Sequence, residues 1–297
     1  MGIELITVIM FGGLIVCLLL GIPLAWCLGG VSVFVCLLLW GPNGLMLIVY
    51  NTFGCMWSIV LVAIPLFMSM GILLERAGIA EALFETIHRW SGRLRGGIAM
   101  GVVVICVLFA AMTGVSAAAT LTMGLIALPA MLKRGYDKSI ALGCIAGPGT
   151  LGILIPPSLS MILYGALTDV SVGDLFIAGI IPGLILTGFF LVYTIFHARK
   201  RGYVRTRPAG WSERAIALRR SAWGLVLPPL VLGGIYLGWF TPTEAAGVGV
   251  AYSLTAALIS RRLNILKLMP VLLSSLRTTA MVLIIIVGAI LFGHVVT

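Results

Sequence analysis

Charge is what this sequence has least of. Its 297 residues include 9 Asp and Glu and 19 Lys and Arg, 9% in all. Soluble chains carry about 25%, so the polar surface that water demands is missing, and an ordinary soluble domain is excluded. The central apolar stretches hold no carboxylate and no lysine. A charge there costs about 2.5 to 3.5 kcal/mol near mid-bilayer and marks a proton relay or ion path, so a proton pump built on a buried Asp or Glu is excluded too. The three histidines, His88, His197 and His294, are scattered. Cys17, Cys27, Cys36, Cys55, Cys106 and Cys144 stand in apolar stretches with no close pair, which indicates neither a disulfide framework nor a metal site. No Ser/His/Asp set, His-Glu-x-x-His helix or Walker loop occurs; the glycine-rich stretch 147–152 has no lysine and follows no strand. The first residues lack the positive region of a cleavable signal. Ile6 stands where a myristoylation signal wants Ser or Thr.

What the sequence has instead is apolar length. Apolar residues make up 61% of the chain, with 37 glycines and a mean hydropathy of +1.20. The uncharged blocks include 5–74, 96–132, 139–167 and 222–243. About 18 apolar residues suffice to cross a bilayer core of about 30 Å, so the reading is an all-α polytopic membrane protein. The net charge of +10 lies in runs at 76–95, 133–138, 199–220 and 261–277, always between apolar blocks. That is the positive-inside pattern rather than a nucleic-acid tail.

Placing every basic run in the cytoplasm gives a consistent topology with the N-terminus outside. Residues 3–20 run inward, Gly21-Ile22-Pro23 turns, 24–40 returns outward, Gly41-Pro42-Asn43-Gly44 is an external turn, and 57–74 comes in. Residues 139–167 go out, 177–196 come back to a long basic loop over 197–221, 223–240 go out, 244–260 come in, and 279–296 leave. The stretch 80–95 reads as an amphipathic helix in the cytoplasmic interface, with Leu83, Ile87 and Trp90 opposed to Glu85, Arg89 and Arg93.

Two places are irregular. Residues 97–132 begin and end beside basic residues. Legs of 97–112 and 118–132 are about 22 to 24 Å long at 1.5 Å per residue, short of the bilayer core. The small tip Thr113-Gly114-Val115-Ser116-Ala117 has no charge to hold it outside, which suggests a re-entrant helical hairpin. The alternative is two short crossings with a tight external turn. The second irregularity is 147–158, where two consecutive prolines and several glycines prevent an unbroken helix. One reading is a proline kink, with Gly143 and Gly147 as a small-xxx-small packing pair. The other is a discontinuous helix: half-helix N-termini attract anions, while unwound carbonyls and hydroxyls coordinate Na⁺. Thr241-Pro242-Thr243-Glu244 reads as a capping box with proline at the first helical position, or else as a docking point on the outer face. Trp239 and Phe240 beside it suit an aromatic belt.

These residues together resemble the large membrane subunit, the DctM-type permease, of tripartite ATP-independent periplasmic (TRAP) transporters. The resemblance rests on Gly149-Thr150-Leu151-Gly152-Ile153-Leu154-Ile155-Pro156-Pro157-Ser158 with Met161-Ile162-Leu163-Tyr164-Gly165. It continues in Leu175-Phe176-Ile177-Ala178-Gly179-Ile180-Ile181-Pro182-Gly183, Gly233-Gly234-Ile235-Tyr236 and Phe240-Thr241-Pro242-Thr243-Glu244-Ala245-Ala246. It implies a transporter rather than an enzyme: an elevator-type secondary carrier of the bacterial inner (cytoplasmic) membrane with two inverted repeats. Sodium would drive uptake of a small organic acid, of the dicarboxylate or sugar-acid class, delivered by a periplasmic binding protein. A small four-helix membrane subunit would complete the complex, with membrane lipid around it, no nucleic acid, and no cofactor beyond Na⁺ as coupling ion.

The implied organisation is N-terminal scaffold helices over 1–76, an arm helix over 77–96, the hairpin over 97–132, the broken helix over 139–167, and further helices over 177–297 that begin the second repeat. The implied binding residues are Thr113, Gly114 and Ser116 at the hairpin tip and Gly147, Gly149, Thr150, Gly152, Ile153, Pro156, Pro157 and Ser158 at the break. Sodium would sit on backbone oxygens near Gly147, Gly149 and Gly152. The second hairpin and second broken helix of the pattern do not occur in these 297 residues, so one half-site is expected. A non-transporting scaffold, a truncated remnant and a carrier independent of a binding protein stay open as alternatives.

Overall fold

The computed structural model describes residues 3–91, 96–201, 203, 209–260 and 265–296; their regular elements are all helices, with no strand among them. The chain divides into two compact units, one formed by residues 1–61 with 276–297 and the other by 62–275.

The first unit contains α1 (Ile3–Leu19), α2 (Leu24–Trp40), α3 (Gly44–Met56) and the later part of α13 (Ile265–Val296). The α1–α2 turn falls at the expected place, with Gly21 at φ +78°. The Ile22 amide donates to Cys17 O at 3.1 Å and the Cys27 thiol to Ile22 O at 3.2 Å. That turn also brings Cys17 and Cys27 near one another, a proximity that their spacing in the sequence does not suggest. Met10, Val31, Val35, Cys36 and Val295 make the core of this unit, and Phe11 meets Phe292 edge-on at 5.5 Å. Helix α3 was not expected. The chain turns back at Gly41, and Gly44 packs so closely that a β-carbon would lie 2.8 Å from Cys36 O. Trp26, Tyr50 and Trp57 are largely exposed, as helices facing lipid require.

The second unit is built around α6 (Gly97–Thr113). Fourteen of its seventeen residues are buried, as befits a helix apolar on every side. It packs against α5 (Ile79–Ser91), α7 (Ser116–Leu132), α8 (Lys138–Gly149) and α10 (Val172–Arg201). By contrast α7 buries only the stripe Ala119, Thr122, Met123, Ala127 and Met131, and it exposes Leu121 and Leu125. Helix α5 is present over most of the predicted arm; Arg93 and its neighbours lie outside the described residues. Its apolar face meets protein. Gly97 abuts Ser91 and Gly101 abuts Ile87, so α5 runs antiparallel along α6. On its other side Thr86 Oγ1 lies 2.9 Å from Ala217 O of α11 (Trp211–Tyr236).

Two helices run well beyond their predicted limits. Instead of spanning 177–196 and 223–240 around a loop over 197–221, α10 continues to Arg201 and α11 begins at Trp211. Lys and Arg are good helix formers and suit the negative C-terminal end of α10, while the Glu213 carboxylate accepts from the Gly210 amide at the start of α11. Helix α13 likewise begins at Ile265 rather than 279 and carries Arg277 within it; Arg261 and Arg262 lie outside the described residues. Helix α12 (Pro242–Ile259) opens with the expected capping box. The Thr241 amide donates to Glu244 Oε2 at 2.8 Å, and the Glu244 amide donates to Thr241 Oγ1 at 3.3 Å.

Among the described residues, five helical stretches are long and apolar enough to cross a membrane: Leu24–Met56, Ile59–Arg76, Val172–Arg201, Trp211–Tyr236 and Leu268–Val296. The chain is a multi-pass membrane protein. Helix α12, which covers the predicted crossing 244–260 up to Ile259, is not among the five, and the hairpin legs α6 and α7 are too short.

Candidate functional site

Within the second unit the two irregular regions come together. The hairpin turn is tighter than expected: α6 runs through Thr113 and α7 begins at Ser116, leaving Gly114 and Val115 between them. Gly114 adopts φ +64°, a left-handed conformation that glycine enters without the steric cost of a β-carbon. A β-carbon on Gly114 would stand 2.7 Å from Pro157 O, so the tip rests on the broken helix. Thr113, 2% exposed, packs on its far side against Gly71 of α4 (Ile59–Arg76). Thr113 and Gly114 are thus enclosed by protein, while Ala117 just beyond them is exposed.

The broken helix consists of α8, a 3-10 turn over Thr150–Ile153, an irregular segment containing a cis Pro156-Pro157 bond, and α9 (Leu159–Thr168). The break therefore starts later than the predicted 147. Gly147, Pro148 and Gly149 remain helical, because a proline near a helix end forfeits only one internal hydrogen bond and the last turn leaves its carbonyls free in any case. Their glycines serve close approach rather than backbone freedom. A β-carbon at Gly147 would lie 2.6 Å from the Phe190 ring, and one at Gly149 would lie 2.2 Å from Thr120 Oγ1. Gly143, the predicted partner of Gly147 in helix packing, faces open space. Gly152 fits between Ala110 and the Ser116 amide, each 3.3 Å from its β-position. From the other side, α10 brings Gly179 against Leu154 O and Gly183 against Ile155.

The hydroxyls are committed in a consistent way. Ser158 Oγ donates to Ile153 O at 2.7 Å, Thr150 Oγ1 to Gly147 O at 2.6 Å, and Thr113 Oγ1 to Phe109 O at 3.0 Å. Each has given its single proton to a carbonyl, so each oxygen is left able only to accept or to coordinate. Ser158 is fully buried and Pro156 and Pro157 are buried, while Ser116 is half-buried and Thr150 and Ile153 are exposed. Of the predicted site residues, then, Thr150 and Ile153 are exposed and Ser116 and Gly147 half-buried, while Thr113, Gly114, Gly149, Gly152, Pro156, Pro157 and Ser158 are buried. Gly71, Ala110, Thr120, Gly179, Gly183 and Phe190 were not predicted as parts of this site. Only the small-xxx-small spacing of Gly179 and Gly183 could have signalled any of them. Thr241 and Glu244 are engaged with each other in the α12 cap. No group of three His, Cys, Asp or Glu suited to a metal occurs among the described residues.

Charged groups gather at the other end of the hairpin. Tyr203 OH donates to Asp137 Oδ2 at 3.1 Å, Arg201 pairs with Asp137 at 3.4 Å, and the Tyr136 and Tyr203 rings stack at 4.3 Å. Burial raises both phenols above their ordinary pKa. On α5, His88 Nε2 lies 2.7 Å from Arg134 Nη2. Because guanidinium only donates, Nε2 must accept, which leaves the proton on Nδ1. Burial first, and then Arg134 and Arg89, push the His88 pKa down against an opposing contribution from Glu85.

Residues 11–297 match the family described as tripartite ATP-independent periplasmic transporter, DctM component. The chain belongs to this DctM family. It is 39% identical over 269 residues to the C4-dicarboxylate TRAP transporter large permease protein DctM of Pseudomonas aeruginosa, covering 90% of this chain and 63% of the relative. Similarity to the protein of the same name from Rhodobacter capsulatus is 37% over 302 residues, 97% of this chain and 68% of the relative. The ectoine TRAP transporter large permease protein TeaC of Halomonas elongata is 33% identical over 293 residues, 98% of this chain and 69% of the relative. The chain thus spans about two thirds of the length of these relatives. Membership places it among transporter components rather than enzymes, and the tip and break belong to a DctM chain.

Proposed function

We propose that this DctM chain carries one half of the ion and solute site of a sodium-coupled large permease subunit. The observation that supports this reading most directly is the seat of Gly114 on Pro157, with Gly152 wedged between Ala110 and Ser116. A helix turn and a helix break held in contact bring freed carbonyls and lone-pair oxygens together where no carboxylate is at hand. Neutral oxygens of this kind suit Na⁺ rather than a proton, and the amide end of a half-helix suits an organic carboxylate. Ser116, Thr150 and Ile153 face the solute in this scheme. The complementary repeat encloses it, and the two halves work as an elevator-type carrier in the bacterial inner membrane with the N-terminus periplasmic.

The solute is a small organic acid handed over by a periplasmic binding protein, with a small membrane subunit beside the large one. Relatives named for C4-dicarboxylate, ectoine and sialic acid support the organic-solute class without selecting a member of it. The test is uptake into proteoliposomes by the full-length subunit reconstituted with its small subunit and binding protein, with and without an inward sodium gradient. Sodium-dependent uptake is expected; equal uptake without sodium overturns the coupling. Uptake that needs no binding protein overturns the delivery step.

A further inference from the structure

The start of α11 and the end of α5 carry an aromatic and cationic cluster that the transport reading does not use. The Arg214 guanidinium lies between two indoles, 5.4 Å from the Trp211 ring centroid and 6.0 Å from that of Trp90. Its Nε is buried with no hydrogen-bond partner among the described residues. Trp211 is 78% exposed and Trp90 46%, so both rings border open surface while steadying the cation. Trp211, Arg214, Ala215, Leu218 and Arg219 stand at positions i, i+3, i+4, i+7 and i+8, which puts them along one side of α11 with Arg214 and Arg219 on its two flanks. Leu218 and Arg219 are exposed there. Glu213, Ile216 and Arg220 occupy the other side of the helix.

That face has the parts a phospholipid needs. Two guanidiniums bind a phosphodiester, the fork of arginine matching phosphate geometry. Trp211 provides an amphipathic ring suited to headgroup depth, and Leu218 and Ala215 offer an apolar strip for the start of an acyl chain. We propose that Arg214 and Arg219, with Trp211 between them, form a binding site for the headgroup of an anionic phospholipid. Charge complementarity selects an anionic lipid over a zwitterionic one: of the acids nearby, Glu213 lies on the opposite face of α11 and Glu85 is paired with Arg89.

The test is native mass spectrometry of the purified, delipidated chain titrated with phosphatidylglycerol or phosphatidylcholine. Phosphatidylglycerol is expected to bind more tightly, with Arg214→Gln and Arg219→Gln each weakening it about fivefold and Trp211→Ala also weakening it. Arg220→Gln, the same loss of charge on the opposite face, is expected to leave binding within about twofold of the parent. Circular dichroism checks that each variant is folded. Should Arg214→Gln fail that check, Arg214→Lys replaces it and is expected to bind less tightly than the parent, because lysine keeps the charge but not the planar fork. Equal binding of phosphatidylcholine, equal loss in Arg220→Gln, or displacement of the lipid by millimolar inorganic phosphate overturns the proposal. Lipid retention is read without sodium, solute or partner subunits, so its outcome is independent of the transport reading.

Discussion

Gly114 and Pro157 stand so close that a side chain on the first would lie 2.7 Å from the carbonyl oxygen of the second. The glycine is also held at φ +64°. Gly114→Ala therefore meets two penalties: about 1 to 2 kcal/mol for a left-handed alanine, and displacement of the break itself. The expected outcome is a lower melting temperature of the purified chain and, in the full-length subunit, loss of uptake. Unchanged uptake in Gly114→Ala would show that the tip and the break work apart.

Two glycines on α8 make a matched pair. A β-carbon on Gly149 would stand only 2.2 Å from Thr120 Oγ1, while one on Gly143 would meet nothing within 4 Å. Gly149→Ala is expected to destabilise the chain. Gly143→Ala is expected to be neutral or to add about 0.5 to 1 kcal/mol by restricting the unfolded backbone. Thermal melts of the two variants side by side check the contrast, and equal effects contradict it.

His88 predicts a pH dependence. Its pKa is lowered in the folded chain, so the unfolded chain takes up the proton first as the pH falls through about 6.5. The folded state is then progressively disfavoured on the acid side and unaffected above neutrality. The melting temperature of the parent is expected to drop between pH 8 and pH 5.5 by more than that of His88→Gln. Parallel curves for the two proteins rule out His88 as the titrating group.

The cap of α12 can be tested without touching the membrane site. Thr241→Ala removes the acceptor of the Glu244 amide and is expected to cost about 1 kcal/mol. Thr241→Ser, which keeps the oxygen, is expected to retain stability. A chemical denaturation series separates the two.

Both irregular stretches of the candidate site were legible in the sequence. Small residues at 113–117 and the prolines at 156 and 157 are local signals, because they act on the backbone that bears them. The roles of Gly147 and Gly149 were not legible, since they depend on Phe190 and Thr120, which lie far along the chain or on another helix. Helix α3 was hidden by composition: Gly44–Met56 has no sustained polar face to set its period. The ends of α10 and α11 were misplaced because basic residues read as a loop, although Lys and Arg favour helix at a C-terminus as much as they favour water.

The legs of the hairpin differ in how they are held. Enclosed by α5, α7, α8 and α10, α6 cannot slide past its neighbours without tearing close-packed contacts on every side. Only α7, with Leu121 and Leu125 outward, offers a free flank. Any displacement of the tip must therefore take the helices packed around α6 with it, rather than pull one leg of the hairpin free of them.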